Sequence, residues 1–232
     1  MLLRVEQCTA YRELLRGKIP TGRIPDKCLR ISRNAKNQPI GTRTAAIADL
    51  EDLFMAHDSS LTGVERFLAP DDIIVSKTDT AGRITYANPI FLQIAGYTEE
   101  ELLSKAHNIV RHPRMPRCVF KFLWDTIQGG DEVFAYVLNR AKNGDHYWVF
   151  AHVTPTRNSR GHICGYHSSR RAPDRAAIAA ITPLYDMLLA EEAKHRTPRE
   201  QWEASLQLLV KALQQRGLAY EEFIFTLSGA AV

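Results

Sequence analysis

The sequence lacks long apolar runs and closely spaced cysteines. No stretch of its 232 residues approaches the roughly 18 consecutive apolar residues that a membrane-spanning helix needs. Met1 to Leu3 is followed at once by Arg4, which is too early for the apolar part of a secretory signal. The cysteines, at positions 8, 28, 118 and 164, form neither a CxxC pair nor the dense spacing of a disulfide framework. We therefore expect a cytoplasmic protein without a membrane span or a cysteine zinc site.

Charge is unevenly distributed along an otherwise ordinary globular composition of 45% hydrophobic and 24% charged residues. Residues 1–43 hold ten lysines and arginines against three acidic residues, which accounts for the net charge of +4. Such a basic arm could contact nucleic acid, acidic lipid or an acidic protein, or could simply be solvated. Because it has few aromatic residues and no recognition motif, we do not expect nucleic acid to be its partner.

The N-terminal part, residues 1–70, is predicted to be a basic arm followed by a helical extension. Proline and glycine are frequent between residues 16 and 43, which indicates an extended arm or loop. Ile47, Leu50 and Phe54 then follow at helical spacing, which predicts a helix between residues 44 and 55.

From residue 71 to residue 173 the pattern changes to that of a mixed α and β domain. Strand-like runs cover 73–79 and 83–88, with Gly82 in the turn between them. Short helices are predicted at 89–97 and after the capping box that begins at Thr98. An amphipathic helix covers 117–128, and strands follow at 133–141, 146–157 and 163–170. Asn143-Gly144 predicts a hairpin between the first two of these strands.

Residues 174–232 are predicted to be a helical signalling or dimerisation region. Thr182 before Pro183 predicts a helix that begins at residue 184, and a capping box at Thr197 begins another. On the second helix Leu206, Leu209 and Leu213 form an apolar stripe, which is suited to packing on a partner helix.

Several strings within residues 72–173 closely resemble the FAD-binding PAS domain of bacterial aerotaxis receptors. They are DTAGRITYAN from Asp79, GYTEEEL from Gly96, HNIVRHP from His107, NRAKNGDHYW from Asn139, and Gly165-Tyr166. The resemblance implies an α+β PAS fold, in which short helices and one longer helix flank a five-stranded antiparallel sheet. It does not cover residues 1–70 or 197–232.

The resemblance also implies a sensor rather than an enzyme, without catalytic residues. In this family FAD is held non-covalently and its redox state reports oxygen or energy status. The positions implied to bind the cofactor are Asn88, Asn108, Arg111, His112, Phe120, Trp124 and Asn139.

Most of these positions have a physical rationale, and five of them also have a plainer alternative. Arg111 and His112 would bind the flavin diphosphate, or they belong to a solvated basic loop. Phe120 and Trp124 would line the slot of the flavin ring, or they are core residues of an amphipathic helix. Asn139 would reach the edge of the ring. Asn88 either lies near the cofactor or caps the helix after it.

Two departures from the family pattern favour a different function, that of a cofactor-free PAS scaffold for protein assembly. Arg114 stands where the family has an aspartate, and Val133 stands near the position of a family tryptophan. Arg114 would either repel Arg111 or add a phosphate contact.

Other cofactors find less support in the sequence. Haem is the weaker alternative, with His107 or His112 as the axial ligand. The Asn-Cys-Arg-Phe string of light-sensing flavin domains is absent, and Cys118 has a different context. His146 and His152 share a strand face without a third metal ligand.

Since no kinase motif or other output module is present in this sequence, we expect the signal to leave through a partner. The flanking helices would contact a chemoreceptor or another signalling protein, or would form a homodimer.

Overall fold

The computed structural model describes residues 61–227. The predicted basic arm and the helix expected at 44–55 lie outside the described residues, as do residues 228–232. Within the described part of the chain, no helix is both long and apolar enough to cross a membrane.

Five strands form one antiparallel sheet, as the resemblance implied. In chain order they are β1 (Ile74–Thr78), β2 (Ile84–Ala87), β3 (Val133–Arg140), β4 (His146–Arg157) and β5 (Ile163–Arg171). Their order across the sheet is β2-β1-β5-β4-β3, and each neighbouring pair is antiparallel. The expected turns are present, with Gly82 at φ 78° and Gly144 at φ 94°. Both backbones lie in the left-handed region, where glycine is favoured.

Short helical elements and one longer helix connect β2 to β3. They are α1 (Pro89–Ala95), α2 (Glu99–Leu102), a 3₁₀ turn (His107–Val110) and α3 (Arg117–Gln128). The capping box at Thr98 is formed, and α3 has the predicted bounds. From α3 the side chains of Val119, Leu123 and Ile127 are buried in the core, so the predicted apolar side faces inward.

Three helices follow the sheet: α4 (Arg175–Glu192), α5 (Pro198–Arg216) and α6 (Tyr220–Thr226). The prediction that a helix begins at residue 184 was wrong, because α4 begins nine residues earlier and Pro183 lies inside it. Asp174 caps it by accepting a hydrogen bond from Ala176 N at 2.8 Å. Proline removes one N–H group, but Ile181 and Leu184 are buried on either side of Pro183. Burial of this continuous apolar face outweighs the lost hydrogen bond.

The stripe of Leu206, Leu209 and Leu213 was predicted to bind a partner helix, and this prediction was wrong. The three leucines are 7%, 1% and 3% exposed and belong to the protein's own core. Helix α5 packs against α3 and α4, and α6 packs against β3. Periodicity predicts an apolar face but does not show which helix covers it.

Residues 61–70 are irregular rather than helical and lie beside the start of β4. Arg66 N donates to His146 O at 2.7 Å, and His146 N donates to Val64 O at 2.9 Å. The Glu65 carboxylate pairs with both terminal nitrogens of Arg175, at 2.5 and 3.0 Å. This segment is therefore attached both to the sheet and to the first residue of α4.

Candidate functional site

A cavity of about 450 Å³ lies between the sheet and α3. Its apolar lining comes from both sides and includes Val110, Leu123, Ile127, Val137, Ala151 and Val153. A largely apolar cavity with a few polar groups is typical of a small-molecule site.

Five of the seven predicted cofactor residues line this cavity: Asn108, Arg111, Phe120, Trp124 and Asn139. Arg111 and Asn139 are also joined by an isolated antiparallel bridge between their backbones. The Arg111 guanidinium carbon lies 4.7 Å from the centroid of the Phe120 ring, and Nη2 donates to Met115 O at 3.1 Å. Burial lowers the pKa of Arg111 to about 10, so this side chain stays cationic at neutral pH.

Trp124 forms an aromatic part of the cavity wall and lies against the turn between β1 and β2. Its ring meets the Tyr166 ring edge to face, with centroids 5.5 Å apart. A Cβ atom at Gly82 would lie 2.8 Å from Trp124 Cη2, closer than van der Waals contact allows. Glycine at this turn therefore leaves the space that the tryptophan ring occupies.

Asn88 lies outside the cavity lining. Its Oδ1 accepts hydrogen bonds from Phe91 N at 3.1 Å and from Val75 N at 2.9 Å. Its Nδ2 donates to Ile73 O at 2.8 Å. These contacts make Asn88 the N-cap of α1 and connect that helix to β1. This is the capping role that the sequence offered as the alternative to cofactor binding.

His112 also lies outside the lining, although its neighbour in sequence lies within it. The residue is 5% exposed, and its Nδ1 accepts a hydrogen bond from Arg114 N at 3.1 Å. Burial, and secondarily the nearby His146, lower the pKa of His112 to about 4. It is therefore neutral at pH 7 in the ligand-free protein, and it does not line the cavity.

The two departures from the family pattern leave the cavity open. Arg114 Nη2 lies 2.9 Å from Asp186 Oδ1 of α4, and both side chains are more than half exposed. Val133 is 1% exposed in the core, and neither residue belongs to the cavity lining.

Sequence reasoning missed Arg170, a buried arginine that lines the cavity from β5. It is 4% exposed, and its Nε donates to Ser168 Oγ at 2.9 Å. Its Nη2 donates to Ser76 Oγ and lies 2.8 Å from His107 Nε2. The alternation of Tyr166, Ser168 and Arg170 along the last predicted strand places all three on one face. That alternation is the sequence signal that could have placed Arg170 on the cavity face of the sheet.

His107 lines the cavity as well and contacts Arg170 through Nε2. Burial, with a smaller contribution from the adjacent guanidinium, lowers the pKa of His107 to about 3. The neutral ring accepts the arginine hydrogen bond through Nε2, so this nitrogen is already used. Nε2 of His107 is therefore not free to serve as an axial haem ligand.

The remaining candidates for metal or thiol chemistry lie apart from the cavity. Cys118 is fully buried outside the lining, and burial raises the pKa of its thiol to about 12. His152 pairs with Glu132 at 2.7 Å. Residues 61–227 contain no group of three histidine, cysteine or acidic side chains that could hold a metal ion.

Comparison with known proteins agrees with this architecture. The family model described as "PAS fold" matches residues 84–170. The aerotaxis receptor of Escherichia coli (strain K12) is 40% identical over 162 residues, which are 68% of this chain and 32% of the receptor. The nitrogen fixation regulatory protein of Klebsiella pneumoniae is 29% identical over 99 residues, 43% of this chain and 20% of that protein. The chain thus spans a third or less of the length of these relatives.

Among solved structures, the dark structure of the blue-light photoreceptor Aureochrome1 LOV is 18% identical to this chain. The match covers 66% of this chain and 99% of that one, with a TM-score of 0.44. The order of the five strands and the match to the PAS family model identify the fold. Residues 84–170, together with β1 and the end of β5, therefore form a PAS domain that resembles the PAS domain of bacterial aerotaxis receptors.

Proposed function

We propose that this protein is a flavin-based redox sensor that holds FAD non-covalently in the cavity and signals to a separate protein. One observation carries the proposal. The cavity combines aromatic walls from α3, Phe120 and Trp124, with polar side chains from the sheet, Asn139 and Arg170. It lies in a PAS domain similar to that of an aerotaxis receptor.

The side chains of the cavity fit the chemistry of FAD. A flavin ring is flat and apolar, with hydrogen-bonding groups along one edge, and FAD also carries a diphosphate. The aromatic walls suit the flat ring, and Arg111 supplies a cation for the diphosphate. Arg170 lines the cavity from the sheet side, and its Nη1 has no hydrogen-bond partner among the described residues, so the guanidinium keeps an unused donor. When bound, FAD would supply reversible uptake of electrons, which no side chain of the cavity supplies.

Asn139 is suited to respond to a change in the ligand, because an amide both donates and accepts hydrogen bonds. It is 4% exposed and lies on β3, where its backbone bridges to Arg111. A change of partner at Asn139 would therefore act on the strand and on the loop that leads into α3.

Helix α3 provides a route from the cavity to the C-terminal helices. It contributes Phe120 and Trp124 to the cavity, and its other side packs against α5. At its N-terminus the Glu192 carboxylate of α4 accepts hydrogen bonds from Arg117 N and Cys118 N. A shift of α3 would thus change the packing of the helices that follow the sheet.

The absorption spectrum of the purified protein tests the proposal. We expect flavin bands, and release of FAD rather than FMN when the protein is heated. A Soret band would replace the proposal with a haem sensor. A protein that stays colourless after purification with added FAD would favour the cofactor-free scaffold.

The partner is part of the same proposal. We place the sensor in the cytoplasm, bound to a chemoreceptor or another signalling protein, or acting as a homodimer. The thiols of Cys118 and Cys164 are free, which suits a reducing compartment. Binding of the partner must differ between the oxidised and reduced forms, because a redox change without differential affinity shifts no equilibrium. Equal affinities would refute the signalling role and leave the flavin site intact.

A further inference from the structure

Arg170 is a buried cation that has no buried anion beside it among residues 61–227. No ion pair between described residues involves it, and its polar contacts are the neutral groups of Ser76, His107 and Ser168. Nη1 makes no hydrogen bond with a described residue. Its guanidinium carbon lies 4.9 Å from the centroid of the Phe91 ring, which provides only a cation–π contact. Burial of a charge with this little compensation is costly.

The location of the guanidinium indicates what would compensate it. Arg170 belongs to the lining of the cavity, on the sheet side opposite Phe120 and Trp124. A ligand that fills the cavity therefore meets a cationic, fixed donor on that side. Since burial lowers the pKa of Arg170 only to about 10, the side chain remains charged at neutral pH.

We propose that Arg170 binds an electron-rich edge of the ligand ring and sets its redox balance by favouring the reduced, negatively charged form. This inference rests on the flavin proposal above. Reduction of a flavin by a two-electron donor such as dithionite, with uptake of one proton, adds one negative charge to the ring. A fixed cation beside the ring stabilises that charge and raises the midpoint potential.

The neighbouring Arg171 offers a matched control. It follows Arg170 on β5, faces the other side of the sheet and is exposed. Its guanidinium carbon lies 5.1 Å from the Phe150 ring centroid, and it does not line the cavity. R171M therefore removes the same charge from the same strand without changing the cavity.

The experiment compares wild type, R170M, R170K and R171M by FAD titration of the flavin-stripped proteins and by dithionite titration of the loaded ones. Thermal unfolding of the stripped proteins shows whether each variant folds. We expect R170M to bind FAD about ten- to a hundredfold more weakly, the range for a lost hydrogen bond to a charged group. Each tenfold loss of preference for the reduced over the oxidised ring lowers the two-electron midpoint potential by about 30 mV. We expect the midpoint potential of R170M to be lower than that of wild type by at least this amount.

R170K retains the charge and should recover part of both effects, while R171M should match wild type. If R170M unfolds, the comparison of R170K with R171M still tests the inference. Lysine keeps the charge but loses the fork geometry of arginine, so R170K should bind FAD more weakly than R171M does. Wild-type affinity and potential in a folded R170M would overturn the inference and leave the flavin proposal standing. A wild type that binds no FAD would overturn both.

Discussion

The Glu192 carboxylate, at the end of α4, accepts a hydrogen bond from Arg117 N at the start of α3, with an oxygen to nitrogen distance of 2.7 Å. The same oxygen accepts from Cys118 N at 3.3 Å and from Ser205 Oγ of α5 at 2.7 Å. The residue before α3 is Pro116, which provides no side-chain cap. Glu192 therefore caps α3 from another helix and joins three helices at one buried oxygen.

We predict that E192A lowers the free energy of unfolding by about 2 kcal/mol, since two backbone N–H groups and the Ser205 hydroxyl lose their shared acceptor. E192Q keeps a carbonyl oxygen and should lose about half as much. Urea denaturation measures both. The control is E191A, whose side chain pairs with Lys194 near the surface and should change stability by no more than about 0.5 kcal/mol. Equal losses for E192A and E191A would show that the cap contributes nothing specific.

The close approach of Gly82 to Trp124 gives a second prediction. In G82A the new methyl group would displace the tryptophan ring from the cavity wall, so FAD should bind at least about tenfold more weakly. Gly82 and Gly161 have φ angles of 78° and 79°, but a Cβ at Gly161 would have no neighbour within 4 Å. G161A therefore has the same backbone strain without the clash. FAD titration of the two variants separates these effects, and equal affinities would argue against a role for Trp124.

Local patterns were sufficient to predict most of the fold. The hairpin turns at Gly82 and Asn143-Gly144 and the bounds of α3 follow from residues close in sequence. The start of α4 did not follow, because Pro183 signals a helix start locally. The helix continues through Pro183 because the residues on either side of it are buried by contacts with distant parts of the chain. The apolar stripe of α5 was recognised correctly, but its covering surface is α3 and α4 of the same chain.

Some residues of the candidate site could likewise be predicted from local sequence, and others could not. Phe120 and Trp124 could be predicted because they share one side of a helix next to the sheet. His112 could not be assigned, because adjacent residues of an irregular segment point in different directions. Arg170 was missed because an arginine at the end of a strand is usually solvated, and only the packed sheet shows that it is buried.

The exposed pair of Arg114 and Asp186 leads to a prediction of no effect. R114A should load FAD as wild type does, and its stability should change by at most about 1 kcal/mol, because exposed ion pairs contribute little. The flavin content of the purified variant and its urea denaturation check this. A marked loss of FAD in R114A would mean that Arg114 reaches the diphosphate, as one reading of the sequence allowed.

His107 makes the stability of the flavin-free protein depend on pH. Its pKa is about 3 in the folded protein and near the usual 6.5 when unfolded, so between these values only the unfolded chain binds the proton. Stability is therefore full above about pH 6.5 and falls as the pH decreases. Because His107 retains some solvent exposure, the full effect of the shifted pKa is reduced, and we expect wild type to lose about 1 kcal/mol more than H107Q between pH 7 and pH 5. Parallel losses in urea titrations would mean that His107 is protonated in the fold.

The location of FAD can be tested with the fluorescence of Trp124, one of three tryptophans in the chain. Trp148 stacks on Tyr185 with centroids 6.3 Å apart, and Trp202 lies beneath Lys121. Neither belongs to the cavity lining, so the W148F/W202F double variant leaves one tryptophan, in the cavity wall. Titration of the stripped variant with FAD should quench this emission and saturate at one FAD per chain. Unchanged Trp124 emission at saturating FAD would contradict a flavin site between α3 and the sheet.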